Sequence, residues 1–250
     1  MKLINNQHFI NLEPFLDIAS LDLLHDQISY AIGKSADYIS PASPPAYSFS
    51  NTGLVAHLDL KAKLRTTNPE LTNNQLDWYT LMKGAASHGY ALFLKNIKKY
   101  PDDFRYKSLE SHTVKTPAGL NFDFLFDWIE KQNCFTEYGR VLFFISPPGS
   151  DGIVHRDNKG LDEYVDQLIW VTGKFPKKLF LFDTETEEKV ECPYRAMYFM
   201  NHNYHGTYNP SDYWSWSLRV DGVFTEEFKQ KAGLSDYFNR LSGNLNSPIS

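Results

Sequence analysis

The sequence predicts a mainly β protein with helical additions, and three observations carry that expectation. From Tyr138 onward, short apolar or alternating segments follow one another with turns between them, eight in about 85 residues. Strands that short and that closely spaced build a β-sandwich, a barrel or a jelly roll. Ahead of them, apolar residues recur at intervals of three and four, the spacing of a helix that buries one face. The chain has 250 residues, 42% hydrophobic and 15% aromatic, enough for one large domain with a substantial core.

The elements follow in order. Phe15, Ile18, Leu21, Leu24, Ile28 and Ile32 place one helix, or two short ones, within 13–35. The stretch SPASPPAYSFSNTG (40–53) is too rich in proline for regular structure and reads as a connection, either a linker or a lid. LVAHLDLKAKL (54–64) alternates and reads as a strand. Residues 73–97 read as helical with a break at Gly89, and 121–133 as a further helix. The eight β segments are 139–146, 152–156, 163–171, 177–182, 188–192, 196–200, 203–208 and 214–224. Thr225 then offers a cap for a C-terminal helix, and NLNSPIS ends the chain as a loose tail. The expected organisation is a mostly helical N-terminal region (1–137), a β core (138–224), and a C-terminal helix with tail (225–250).

Composition narrows the function classes. A net charge of -5 without a basic run argues against a nucleic-acid or anionic-membrane partner. No stretch approaches the ~20 apolar residues of a membrane span, and the start, MKLINNQHFINLEPF, lacks the apolar centre of a signal peptide. The two cysteines, Cys134 and Cys192, form no CxxC pattern and suit a reducing compartment, so a cytoplasmic location is expected. The chain carries no P-loop, GxSxG, GxGxxG or HExxH motif.

The segment SPPGSDGIVHRDNKG (146–160) sets a Pro-Pro-Gly turn before an apolar strand that ends in His155-Arg156-Asp157. Alternate residues of a strand share a face, so His155 and Asp157 point together and Arg156 points outward. An imidazole and a carboxylate suit a first-row divalent metal, and one further histidine completes a two-histidine, one-carboxylate site with three open positions. His205 follows Asp157 by 48 positions, room for the strands of a jelly roll to return. His202, three positions earlier, faces the opposite side of a strand; His205 leads more directly into the N-x-S-D stretch at Asn209. A second HxD, His57 and Asp59, is followed by His88 and His112, neither of which precedes a strand-borne arginine at a matching interval. Arg219 lies in the apolar run SWSLRV, where a guanidinium is costly unless it meets an anion. A carboxylate is its natural bidentate partner, and Ser217 shares its face. A divalent ion with one aspartate leaves +1, the arginine adds another, and a dianionic 2-oxo diacid would balance both.

With these residues in place, 138–224 resemble the Fe(II)/2-oxoglutarate-dependent oxygenases, and among them most the aspartyl/asparaginyl β-hydroxylase and proline hydroxylase-like branch. The resemblance is carried by GRVLFFISPPGSDGIVHRD and HGTYNPSDYWSWSLRVDGVF and covers about a third of the chain. It implies a double-stranded β-helix (jelly-roll, cupin-like) core, with Fe(II) held by His155, Asp157 and His205. It also implies that Arg219, with Ser217 beside it, binds the 2-oxoglutarate cosubstrate, with dioxygen as the second. Hydroxylation of an aliphatic C–H bond is the implied activity, with an amino acid, free or peptidyl, as substrate. Asn209 and Asp221 fit the branch pattern, and Tyr164 and Gln167 lie on a neighbouring inner strand. The interval from His205 to Arg219 is longer than the branch pattern, so an extra turn must fit at NPSDYW. Two other readings stand: the same chemistry on another small molecule, and a cupin-like protein that binds or senses metal without turnover.

Overall fold

The computed structural model describes residues 9–41, 89–98, 104–150, 154–157, 166–175, 177–183 and 186–238. The strands among them are β1 (Phe9–Asn11), β2 (Ser40–Pro41), β3 (Tyr90–Ile97), β4 (Thr113–Lys115), β5 (Phe135–Ser146), β6 (Leu168–Thr172), β7 (Lys178–Phe182), β8 (Lys189–Glu191), β9 (Ala196–Phe199), β10 (His205–Tyr208) and β11 (Ser215–Phe224). They form two sheets. The larger runs β1-β9-β6-β11-β5-β3-β2, with β4 also on β3, and the smaller runs β10-β7-β8. His155 forms an antiparallel bridge to His205, which sets the HxD segment beside β10 at the margin of the small sheet.

From β5 onward the chain passes back and forth. β5, β6, β9 and β11 belong to the large sheet, while the HxD segment, β7, β8 and β10 belong to the small one. That interleaving is a double-stranded β-helix, the jelly-roll core. β11 lies at the centre of the large sheet between β5 and β6, and all but one of its residues are buried. Its alternation sorts two environments. Trp216 and Leu218 meet the apolar side, where Trp216 stacks on His25 and packs edge-on to Phe143. Ser215, Ser217, Arg219 and Asp221 occupy the opposite face.

Helices close the apolar side. They are α1 (Ile18–Leu23), α2 (His25–Lys34) and α3 (Asp123–Lys131). α3 buries Leu125, Phe126, Trp128 and Ile129, and Trp128 Nε1 donates to the Asp17 carbonyl at the start of α1. The expected cap at Thr225 is present: its hydroxyl accepts from Phe228 N at 3.1 Å and opens α4 (Glu226–Lys231). No helix among the described residues is long and apolar enough to cross a membrane.

One expected helix is corrected. The end of the 73–97 segment is β3, not helix. YALFLKNI lies inside the large sheet and is buried on both faces, so it shows no alternation, and partly exposed residues every third position imitate helical spacing. Gly89 turns the chain into it at φ 85°, and a Cβ there would lie 2.8 Å from the Ile145 carbonyl oxygen. The strand expected over 152–156 shows only the bridge at His155 among its described residues. The described part of 1–137 carries β1 to β4 as well as helices, and β5 begins at Phe135, before the expected boundary at 138. The 54–64 strand, most of the 40–53 connection, residues 73–88, His57, Asp59, His88, Tyr164 and the tail lie outside the described residues.

Candidate metal centre

The Pro-Pro-Gly turn delivers the HxD segment. Ser150 N donates to Pro147 O at 3.2 Å, with Gly149 at φ 64°, the left-handed position that a type II turn gives to glycine. Asn209 pins this turn from the far end of β10: its backbone N–H donates to Ser150 O at 2.8 Å, and its side-chain amide to Ser146 O, Pro147 O and Tyr213 O. His155 and His205 then exchange backbone hydrogen bonds of 2.9 and 2.8 Å, and Asp157 N donates to Asn201 O at 2.9 Å. Arg156, between the two expected ligands, lies near the Tyr204 ring, 5.9 Å from its centroid.

His155, Asp157 and His205 converge. One donor atom from each lies within 4.8 Å of the others, and among the described residues they are the group so placed. His155 Nε2 is 3.6 Å from Asp157 Oδ1. His155 is open to solvent while His205 is buried. His205 Nδ1 lies 2.9 Å from the Asn203 carbonyl, which assigns the ring proton to Nδ1 and leaves Nε2 as a lone pair. Burial lowers His205 to about 4, against the pull of Asp157, so the ring is neutral near pH 7. Next to it, Gly206 leaves space for the Phe180 ring, whose Cζ would be 2.6 Å from a Cβ. His202 stays outside the cluster.

Asp157 is held from behind. Its Oδ2 accepts from Arg219 Nη1 at 2.7 Å and from Asn201 Nδ2 at 2.9 Å, which leaves Oδ1 on the side of His155. Burial would raise its pKa, but Arg219, His205 and Lys107 hold it well below the usual carboxylate range. Arg219 was expected to face a ligand carboxylate. All three of its guanidinium nitrogens instead meet the protein's own acids: Nη1 Asp157, Nε Asp221 at 2.8 Å, and Nη2 Asp166 at 3.4 Å. Asp166 also takes Lys107 and Asn201, and Asp221 takes Arg140 at 2.8 Å. Asp157, Asp166 and Asp221 thus face Lys107, Arg140 and Arg219, and the cluster is neutral by itself.

The residues expected at the site therefore fall into two sets. His155, Asp157, His205 and Arg219 come together. Ser217 lies two residues along β11 from Arg219, fully buried, its hydroxyl without a hydrogen-bond partner. Gln167 serves the fold: its Oε1 accepts from Phe224 N at 2.7 Å. Asn201, Asp166 and Lys107 had no signal of their own in the sequence, whereas Arg140 opens the segment that carries the resemblance. Lys107 arrives on a 3-10 turn (Phe104–Ser108) that rests on β5 at Gly139, where a Cβ would come 2.1 Å from Lys107 O. The donor set, two neutral nitrogens and one carboxylate oxygen, fits a first-row divalent ion.

No family model and no curated protein matches the chain. Solved structures to which it is similar include a 2OG-Fe(II) oxygenase family oxidoreductase from Burkholderia pseudomallei, at 12% identity over 66% of this chain and 89% of that one, with a TM-score of 0.34. A Pseudomonas putida prolyl-4-hydroxylase is similar at 12% identity over 78% of this chain and 97% of the other, with a TM-score of 0.31. A cupin domain from Bordetella pertussis matches at 20% identity over 36% of this chain and 84% of its own, with a TM-score of 0.25.

Proposed function

We propose that this protein is an Fe(II)- and 2-oxoglutarate-dependent dioxygenase that hydroxylates an aliphatic C–H bond of an amino acid, free or within a peptide. The observation that carries the reading is the convergence of His155, Asp157 and His205 within 4.8 Å on an interleaved β core. These three residues would hold the iron. Iron(II) bound with a 2-oxo acid and dioxygen supplies the oxidising power that an unactivated C–H bond requires.

The chain's own residues do the rest. Asn203 O fixes the His205 ring so that Nε2 presents its lone pair. Arg219 and Asn201 occupy one carboxylate oxygen of Asp157 and direct the other toward His155. Two histidines and one carboxylate would leave positions on a first-row divalent ion open to exchangeable ligands. Because Asp157 and the five charged side chains behind it already balance one another, a divalent ion adds charge that they do not offset. A 2-oxo diacid, a dianion, does offset it. The amino-acid substrate rests on the sequence resemblance.

The test is the visible spectrum of the protein with Fe(II) and 2-oxoglutarate under anaerobic conditions, beside His155→Ala. A charge-transfer band in the native protein and none in the variant supports the reading. Bound metal without a band supports the cupin-like alternative, a metal-binding protein without turnover; that reading has its own observation in Arg219, which the acids of the fold fully engage.

A further inference from the structure

Behind Asp157, two side chains serve two acids at once. Asn201 Nδ2 donates to Asp157 Oδ2 at 2.9 Å and to Asp166 Oδ2 at 2.5 Å. An amide nitrogen carries two protons, so both are spent. Arg219 divides itself in the same way, with Nη1 2.7 Å from Asp157 Oδ2 and Nη2 3.4 Å from Asp166 Oδ2. Asp166 is therefore a rival of the metal-ligand carboxylate for the same two donors. The bonds of Arg219 are unequal, short to Asp157 and long to Asp166. A third donor accounts for that: Lys107 Nζ lies 2.5 Å from the same Asp166 oxygen.

Lys107 stands outside the jelly roll. It comes from the 3-10 turn Phe104–Ser108, ahead of β5, and is 1% exposed. The Asp166 side chain is equally closed to water. A buried ion pair is costly to desolvate, and apolar residues of similar volume often hold a fold as well or better. What apolar residues cannot do is govern how Asp166 competes. With Lys107 in place, Asp166 Oδ2 already has an ammonium, and Arg219 stays with Asp157. With Lys107 gone, a buried carboxylate that has lost a cation draws on Arg219 and Asn201, the donors it already touches. Asp157 then loses the grip on Oδ2 that leaves Oδ1 on the side of His155.

We infer that Lys107 is a positioning residue for the metal centre: by occupying Asp166 it reserves Arg219 and Asn201 for Asp157 and so fixes the carboxylate ligand. It gives the chain ahead of β5 a part in the site. The inference rests on the metal-binding part of the proposed function and not on the oxidation.

The test is a double-substitution cycle on the full chain, read by Mn(II) titration and by the visible spectrum of the Co(II)-loaded protein. Lys107→Met is expected to bind Mn(II) roughly 10-fold more weakly than native protein, the low end for groups that orient a metal ligand. It should also change the Co(II) bands, which respond to how the carboxylate binds. Adding Asp166→Asn removes the rival charge. The double variant is therefore expected to return to within about threefold of native affinity and to the native Co(II) spectrum, whereas two independent packing defects would add. Where Lys107→Met does not fold, Lys107→Gln, which keeps a donor and drops the charge, takes its place. A single variant with native affinity or an unchanged Co(II) spectrum, or a double variant that binds no better than the single, overturns the role of Lys107 and leaves the metal site standing. Native protein that binds neither Mn(II) nor Co(II) overturns the metal site and this inference with it.

Discussion

Arg219 shows what a buried charge does when its partners belong to the fold. Removing the buried guanidinium leaves three aspartates to two cations, Lys107 and Arg140. Arg219→Met is expected to cost about 3–5 kcal/mol in urea unfolding. Arg219→Lys should recover little of that, because one ammonium cannot meet three acids in a planar fork. Lys177, buried and hydrogen-bonded to Ser146 Oγ and Phe144 O, is the opposite case, a cation that meets no acid among the described residues, and pH reveals it. Burial lowers its pKa from 10.5 to about 7. Between those values the unfolded chain holds a proton that the native protein has released, so native stability rises with pH through the window. As pH falls, that gain is lost over the same window and is gone below about 7. Relative to Lys177→Met, native protein should gain up to about 1.4 kcal/mol per pH unit above 7, levelling off near 10.5. A flat difference in urea unfolding across that range would show that Lys177 keeps its proton. The triad was legible from residue types because HxD and a distant histidine are distinctive at known spacing. The partners of Arg219 were not: Asp166 and Asp157 lie 53 and 62 positions away, and nothing local marks an aspartate that will be buried.

At the scale of elements, the structure depends on close backbone approaches that only glycine allows. Gly139 lets the 104–108 turn rest on β5 and deliver Lys107 to Asp166. Gly139→Ala would set a methyl against the backbone of that turn, with a cost of about 1–3 kcal/mol. Lys107 would move with it, so the variant should also bind metal more weakly than native protein, as metal titration can show. At α4 the single capping bond predicts a smaller effect, ~1 kcal/mol for Thr225→Ala, measured by the same unfolding curves. Most elements after Tyr138 were legible because alternation and turn residues agree. β3 was not, since a strand buried on both faces loses the period that identifies it. Lys177, just before β7, was equally silent: in the sequence it is one lysine of a Lys-Phe-Pro-Lys-Lys run.

Across the molecule, the two sheets contribute different parts of the site. The small sheet carries the three expected metal ligands, while β11 and β5 of the large sheet supply Arg219 and Arg140. The two sheets meet through Asp157 and Arg219. A metal that binds the native triad and not the unfolded chain should therefore stabilise the whole domain, by about 2.7 kcal/mol at a free concentration one hundred times Kd. Thermal unfolding with Mn(II) should shift upward, and His155→Ala should abolish the shift.

The bridge between His155 and His205 has a kinetic consequence. In its described part, residues 154–157, the HxD segment is secured by the paired amides of His155 and His205 and by one further amide, that of Asp157. Such a short seam opens without disturbing the rest of the core. An ion held by His155, Asp157 and His205 would clasp both sides of the seam at once. Hydrogen exchange at the His155 and Asp157 amides thus becomes a clock for metal release, slow in the loaded protein and fast after chelation, while amides in the middle of β11 keep one rate in both.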